Sequence, residues 1–160
     1  MPFDVRDELL DVYRHNLTTL RALIRDLPDD VIRLQGEGTE RWSILDVVCH
    51  LRDTEQDAFE RVTRMVREDR PSLPEFDPEA VERESDYRSE SLEDALGAFE
   101  RVRRAQLEFL AELTDEQWDR VADDDYFGEI TVQSLTTHMA AHDCVHMAQI
   151  SRRIQETRPS

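Results

Sequence analysis

Lysine is missing from this chain of 160 residues: all twenty basic side chains are arginine, set against 37 acidic ones for a formal net charge of −17. Without lysine there is no Schiff-base chemistry and no lysine-containing P-loop. The shortage of positive charge argues against nucleic acid or an anionic membrane as a partner, because both are recognised through a basic footprint. Cysteine is scarce too. Cys49 and Cys144 form no Cys-x-x-Cys pair and no disulfide framework, which predicts a reducing, cytoplasmic setting. No apolar run approaches the ~18 residues of a membrane helix. Met1-Pro2-Phe3-Asp4 opens without the apolar stretch of a secretion signal.

Glycine is nearly as rare, at four residues, and the prolines stand at positions 2, 28, 71, 74, 78 and 159. The uninterrupted stretches between them carry apolar residues at helical spacing. Leu9, Leu10, Tyr13, Leu17, Leu20 and Ile24 predict a first helix from about Phe3 to Leu27, stopped before Pro28. A loop to Trp42 follows. Ser43 then reads as an N-cap, with Asp46 at the capping-box position, and opens a second helix to about Asp69. Arg70–Ser89 is a long loop with a short helical turn near Pro78–Glu84. A third helix runs from Leu92 to Leu113, and Thr114 caps a brief helix through Val121. Asp123–Gly128 is a turn, and Thr131 caps a fourth helix to about Glu156. No alternating strand pattern stands out. The prediction is one domain spanning residues 1–160, all-α. Its architecture is an up-and-down four-helix bundle with a long loop between helices 2 and 3 and a short extra helix before helix 4. The acidic residues are expected on the outer faces.

The histidines carry the chemistry. On a wheel at ~100° per residue, His142 and His146 fall within ~40° of each other, in the arc that also holds Leu135, Met139 and Ile150. Imidazoles thus stand where a bundle helix presents apolar side chains to the core. Leaving buried polar groups unpartnered costs ~1–3 kcal/mol each, so the pair calls for an explanation. A divalent ion supplies one, since histidines at i and i+4 reach a single ion from one helix face. His50, at the edge of the second helix's apolar stripe, is the natural third ligand. Three neutral histidines with open positions make a catalytic type of site. The bland alternative is a set of satisfied core histidines. His15 reads as a surface residue and His138 as a flanking group. Cys49 and Cys144 read as small packing residues. His142-Asp143-Cys144-Val145-His146 matches H-E-x-x-H only with Asp for Glu, a poor general base at ~100° from His142. No histidine follows a glutamate by three residues, which argues against a di-iron bundle.

Two segments carry a resemblance. Trp42-Ser43 leads through Asp46 to the His50-Leu51 pair, and His142-x-x-x-His146-x-x-Gln149-Ile150 closes the fourth helix. Leu113–Trp118 and Phe127-Gly128 fit between them. In this order the chain resembles the DinB/YfiT-like metal-binding bundles over nearly its whole length. That resemblance implies a divalent metal, zinc or nickel, held by His50, His142 and His146, with water at the remaining positions. It also implies a small-molecule substrate, for some relatives a low-molecular-weight thiol, and a homodimer. His138 departs from the minimal signature and would flank the ligands. The expected function is a metal-dependent thiol S-transferase acting on small electrophiles; the alternatives are a metal-dependent hydrolase using activated water and a non-catalytic metal-binding stress module. In the hydrolase reading Asp46, one turn before His50, would orient that ligand.

Overall fold

Asp4 opens the first helix by accepting a hydrogen bond from the Arg6 amide, and α1 (Val5–Ile24) follows with Leu10, Tyr13, Leu17 and Leu20 buried along one face. Residues 2–160 are described by a computed structural model. α1 ends three residues short of the expected Leu27, because Arg25 turns extended and Asp26 adopts φ 58°. The segment expected as loop is partly helical: α2 (Asp29–Arg33) starts behind Pro28, and a 3₁₀ turn spans Gly38–Glu40. α3 (Ile44–Arg67) begins at the predicted cap. Ser43 accepts from the Asp46 amide, while the Asp46 carboxylate accepts from the Ser43 amide.

After α3 come β1 (Ser72–Leu73), α4 (Pro78–Glu84), a 3₁₀ turn at Tyr87–Ser89 and α5 (Leu92–Ala111). Thr114 caps α6 (Asp115–Trp118), which is shorter than expected. Val121 belongs to β2 (Val121–Asp124), paired antiparallel with β3 (Gly128–Thr131), and β1 pairs parallel with β2. This three-stranded sheet corrects the reading that no strand is present. Its buried apolar residues, Leu73, Ala122 and Ile130, join the core. Gly128, at φ 78°, supplies the left-handed residue that starts β3. α7 (Val132–Glu156) then runs as predicted from the Thr131 cap.

The four long helices α1, α3, α5 and α7 form the expected four-helix bundle, though not with every sequential pair side by side as in a simple up-and-down order. Each packs mainly on two others, giving the perimeter order α1, α7, α3, α5. Sequential neighbours α1 and α3 therefore lie across the bundle from each other, as do α5 and α7. The apolar core divides into two clusters, one around Tyr13, Met65, Leu110 and Leu135, the other around Ile44, Leu45, Phe99 and Ile150. Between them the Arg103 guanidinium stacks on Tyr13 of the first (4.2 Å) and Phe99 of the second (4.9 Å). Among the described residues no helix is long and apolar enough to cross a membrane.

Candidate metal centre

His50 stands near the start of α3, and His142 and His146 stand one turn apart on α7, the two helices being direct neighbours in the bundle. The Nε2 atom of His142 lies 3.1 Å from Nε2 of His50 and 3.1 Å from Nε2 of His146. His50 is buried, and the other two are half-buried. Burial, reinforced by the neighbouring imidazoles, pushes His50 down to about 3, and burial does the same to His142. Burial lowers His146 too, against the opposing pull of its bond to Gln149. All three rings are neutral at pH 7, the form that binds metals.

One tautomer is settled by chemistry. His146 Nδ1 lies 2.9 Å from Gln149 Oε1, and an amide oxygen can only accept, so Nδ1 carries the proton and Nε2 presents a lone pair. Gln149 is held in turn by Glu40, its Nε2 donating to Oε2 at 3.4 Å. At the centre of the triad one Nε2–H on His142 could serve a single neighbour and would leave the other facing it lone pair to lone pair. A cation satisfies all three Nε2 atoms at once. Two nitrogens each ~2.0–2.1 Å from one ion stand roughly 2.9–3.4 Å apart at angles between octahedral and tetrahedral, and the observed 3.1 Å falls in that interval. The donor set therefore fits a divalent metal.

Trp42 covers the triad, its ring 4.8 Å from that of His50 and 6.5 Å from that of His146. It is delivered by a loop that closes through the Gly36 amide on the Arg41 carbonyl at 3.0 Å. Gly36 is obligatory there, because a Cβ would meet the Glu40 carbonyl oxygen at 1.7 Å.

Other residues singled out from the sequence lie elsewhere. Asp46, expected to orient His50, spends its carboxylate on the Ser43 amide and on Gln35 Nε2, both at 2.9 Å; the helix cap claims it. Gln149 performs the orienting role, for His146. Its position one turn after His146 was the available signal. His138 is exposed, 6.2 Å ring to ring from His142 and packed edge-on against Phe127. Asp143 points away from the triad into the core, where it pairs with Arg103 at 2.9 Å. His15 is exposed, as expected. Cys49 is buried and burial pushes its thiol up to about 12, whereas Cys144 is exposed rather than packed.

A cavity of about 410 Å³ opens beside the triad, reached by His50 and His142. Its walls come from α3, the β1–α4 segment, the β2–β3 turn and α7. Tyr126 and Phe127 form one wall, presented by Asp124, whose Oδ1 accepts from both their amides at 2.8 and 2.9 Å. The other Asp124 oxygen binds Arg61 of α3, which fastens the turn to the bundle. None of these wall residues belonged to an expected strand, so periodicity could not place them.

Fold and site together define a helical bundle built around a convergent triad of neutral histidines. The sequence profile of the DinB superfamily matches residues 12–150, and the chain belongs to that superfamily. A relative from Oceanobacillus iheyensis, OB0413, provisionally named a metal-dependent hydrolase, is 27% identical over 124 residues, covering 76% of this chain and 69% of its own. YfiT from Bacillus subtilis, described as a probable metal-dependent hydrolase with an unusual four-helix bundle topology, superposes with a TM-score of 0.88. It shares 18% identity over 98% of this chain and 89% of its own. TT2238, described as a four-helix bundle protein, superposes with a TM-score of 0.68 at 21% identity, over 92% of this chain and 98% of its own.

Proposed function

We propose that this protein is a metal-dependent hydrolase of small molecules, with His50, His142 and His146 holding one divalent ion, zinc or nickel. The observation that carries the proposal is the convergence of three neutral imidazoles, their ligand atoms within 4.8 Å of one another, beside a cavity that His50 and His142 line. The names of OB0413 and YfiT point the same way. Imidazole donors suit both ions. When bound, such an ion supplies a Lewis acid and makes water acidic enough to react near neutral pH.

The chain's own groups do the rest. Burial keeps His50 and His142 deprotonated. Gln149 holds the Nδ1 proton of His146 and, through Glu40, fixes the ring's orientation. Trp42 shields one side of the triad from solvent, so access runs through the cavity. No cysteine competes as a nucleophile at the site, since Cys49 is a buried thiol with a raised pKa.

Metal analysis of the purified chain is expected to find about one divalent ion per protomer, lost in His146→Ala. The loaded protein is expected to turn over an ester or amide panel equally well with and without added thiols. Thiol-dependent labelling of monochlorobimane with no hydrolysis would replace this reading by thiol transfer. A metal-free wild type of undiminished stability would sink both.

A further inference from the structure

The charges on the cavity wall are unevenly matched. Asp57, Glu75 and Asp124 line it, against a single arginine, Arg61. That arginine is already committed: Nε binds Asp57, Nη1 binds Asp124, and Nη2 donates to the Pro74 carbonyl. It has no free edge for a substrate anion. Glu75 is exposed on the wall and paired with no arginine among the described residues. Asp57, half-buried, gives one oxygen to Arg61 and keeps the other. The rest of the wall is mostly apolar, with Phe76, Phe127, Leu135 and Met139, and adds Thr54, Tyr126 and the imidazole of His138. Carboxylates alone would define no site. What brings them to the site is the cavity they share with His50 and His142 of the triad.

Resting on the hydrolase reading above, we propose that the cavity selects substrates with an apolar body and a cationic end. Asp57 and Glu75 receive the cation, and the bond to be cleaved lies against the histidine triad. Asp57 follows His50 by two helical turns, a rise of about 10 Å, which sets the distance between cation and scissile bond. Water adds across an ester or amide bond, releasing a carboxylic acid and an alcohol or amine, with no other reactant. Anionic substrates, including thiols carrying several carboxylates, are disfavoured by the same wall.

The test is calorimetry on the metal-loaded protein with three matched probes: a phenylpropyl trimethylammonium ion, the corresponding alcohol and the corresponding sulfonate. The ammonium is expected to bind about tenfold more tightly than the sulfonate, the ratio that one near-surface charge contact supports. Glu75→Gln, at an exposed position, is expected to cut that ratio severalfold without disturbing the fold. Asp57→Asn is expected to do the same. Glu108→Gln, an exposed change on α5 that alters net charge equally, is expected to leave it unchanged, which separates the wall from the general field of a −17 chain.

A sulfonate bound as tightly as the ammonium would overturn the proposal. So would a preference that survives both Glu75→Gln and Asp57→Asn, or a failure of all three probes to bind. Hydrolysis is read separately on aryl esters with the same three ends. An ammonium preference in binding without metal-dependent turnover would overturn the hydrolase reading and leave the cavity's charge selection standing.

Discussion

Two polar clusters both draw on α3 and α7, and they are built on opposite terms. In the core, Arg103 of α5 is fully buried between Glu55 of α3, bound through two 2.8 Å contacts, and Asp143 of α7. Asn16 of α1 donates to Asp143 at 3.1 Å, and the Tyr13 carbonyl accepts from Arg103, so all four long helices contribute. Burial opposes the Arg103 charge, but Glu55 and then Asp143 outweigh it and raise its pKa. This cluster holds formal charges and provides each with a partner. The histidine triad holds no charge, comes from α3 and α7 alone, and points its lone pairs at one another. A buried polar group whose partners are all internal specifies packing. One whose lone pairs are left converging specifies a ligand.

Breaking the closed cluster gives the largest expected effect. Arg103→Met leaves Glu55 and Asp143 buried without a cation, a loss of about 3–5 kcal/mol in stability, measurable by urea denaturation. Replacing Glu55, Arg103 and Asp143 together by apolar residues of similar volume is expected to recover most of that loss. If the single change costs less than 1 kcal/mol, the cluster does not organise the core.

Acid tests the open cluster. His50 and His142 stand at about 3 in the folded chain, against an ordinary value near 6.5. Between those values the unfolded chain binds protons that the folded one refuses, so stability of the metal-free protein falls as pH drops from 6.5 towards 3. The expected loss is on the order of a few kcal/mol, read by thermal melts across that window. His50→Ala and His142→Ala are expected to flatten the slope, and an unchanged slope would mean that other groups set it.

Smaller effects sharpen the contrast further. Gln149→Ala frees the Nδ1 proton of His146 and is expected to weaken metal binding about 10- to 100-fold, by competition with a chromophoric chelator, while the metal-free melting temperature hardly moves. Ser43→Ala removes the cap that starts α3 just ahead of His50 and is expected to cost about 1 kcal/mol.

Much of the scaffold was readable from spacing and caps. The apolar stripes of the long helices, the caps at Ser43, Thr114 and Thr131, and the core-facing arc of His142 and His146 all have local causes. What escaped depends on distant partners. β1 is two residues long, and Ser72 is matched to Asp123, so neither alternation nor proximity in sequence announces the pair. Arg103 sits four residues after Phe99 on the buried face of α5, where an arginine reads as an exposed residue until Glu55 and Asp143 are seen around it. Asp46 was correctly placed at a cap, but its Oδ2 faces Ser43 and Gln35, and no hydrogen bond joins it to His50. Acidic residues were expected outside, yet Glu55 and Asp143 are buried because the bundle carries its own counter-ion.

The spacing of the triad along the chain also sets a clock. His50 precedes His142 by 92 residues, so at ~5–20 residues per second a ribosome needs roughly 5–20 s to make the second ligand after the first. Throughout that interval the nascent chain carries only one of the three ligands and no chelating site. The centre cannot be assembled while α3 is being made, and whatever ion it takes is captured only once α7 has been added.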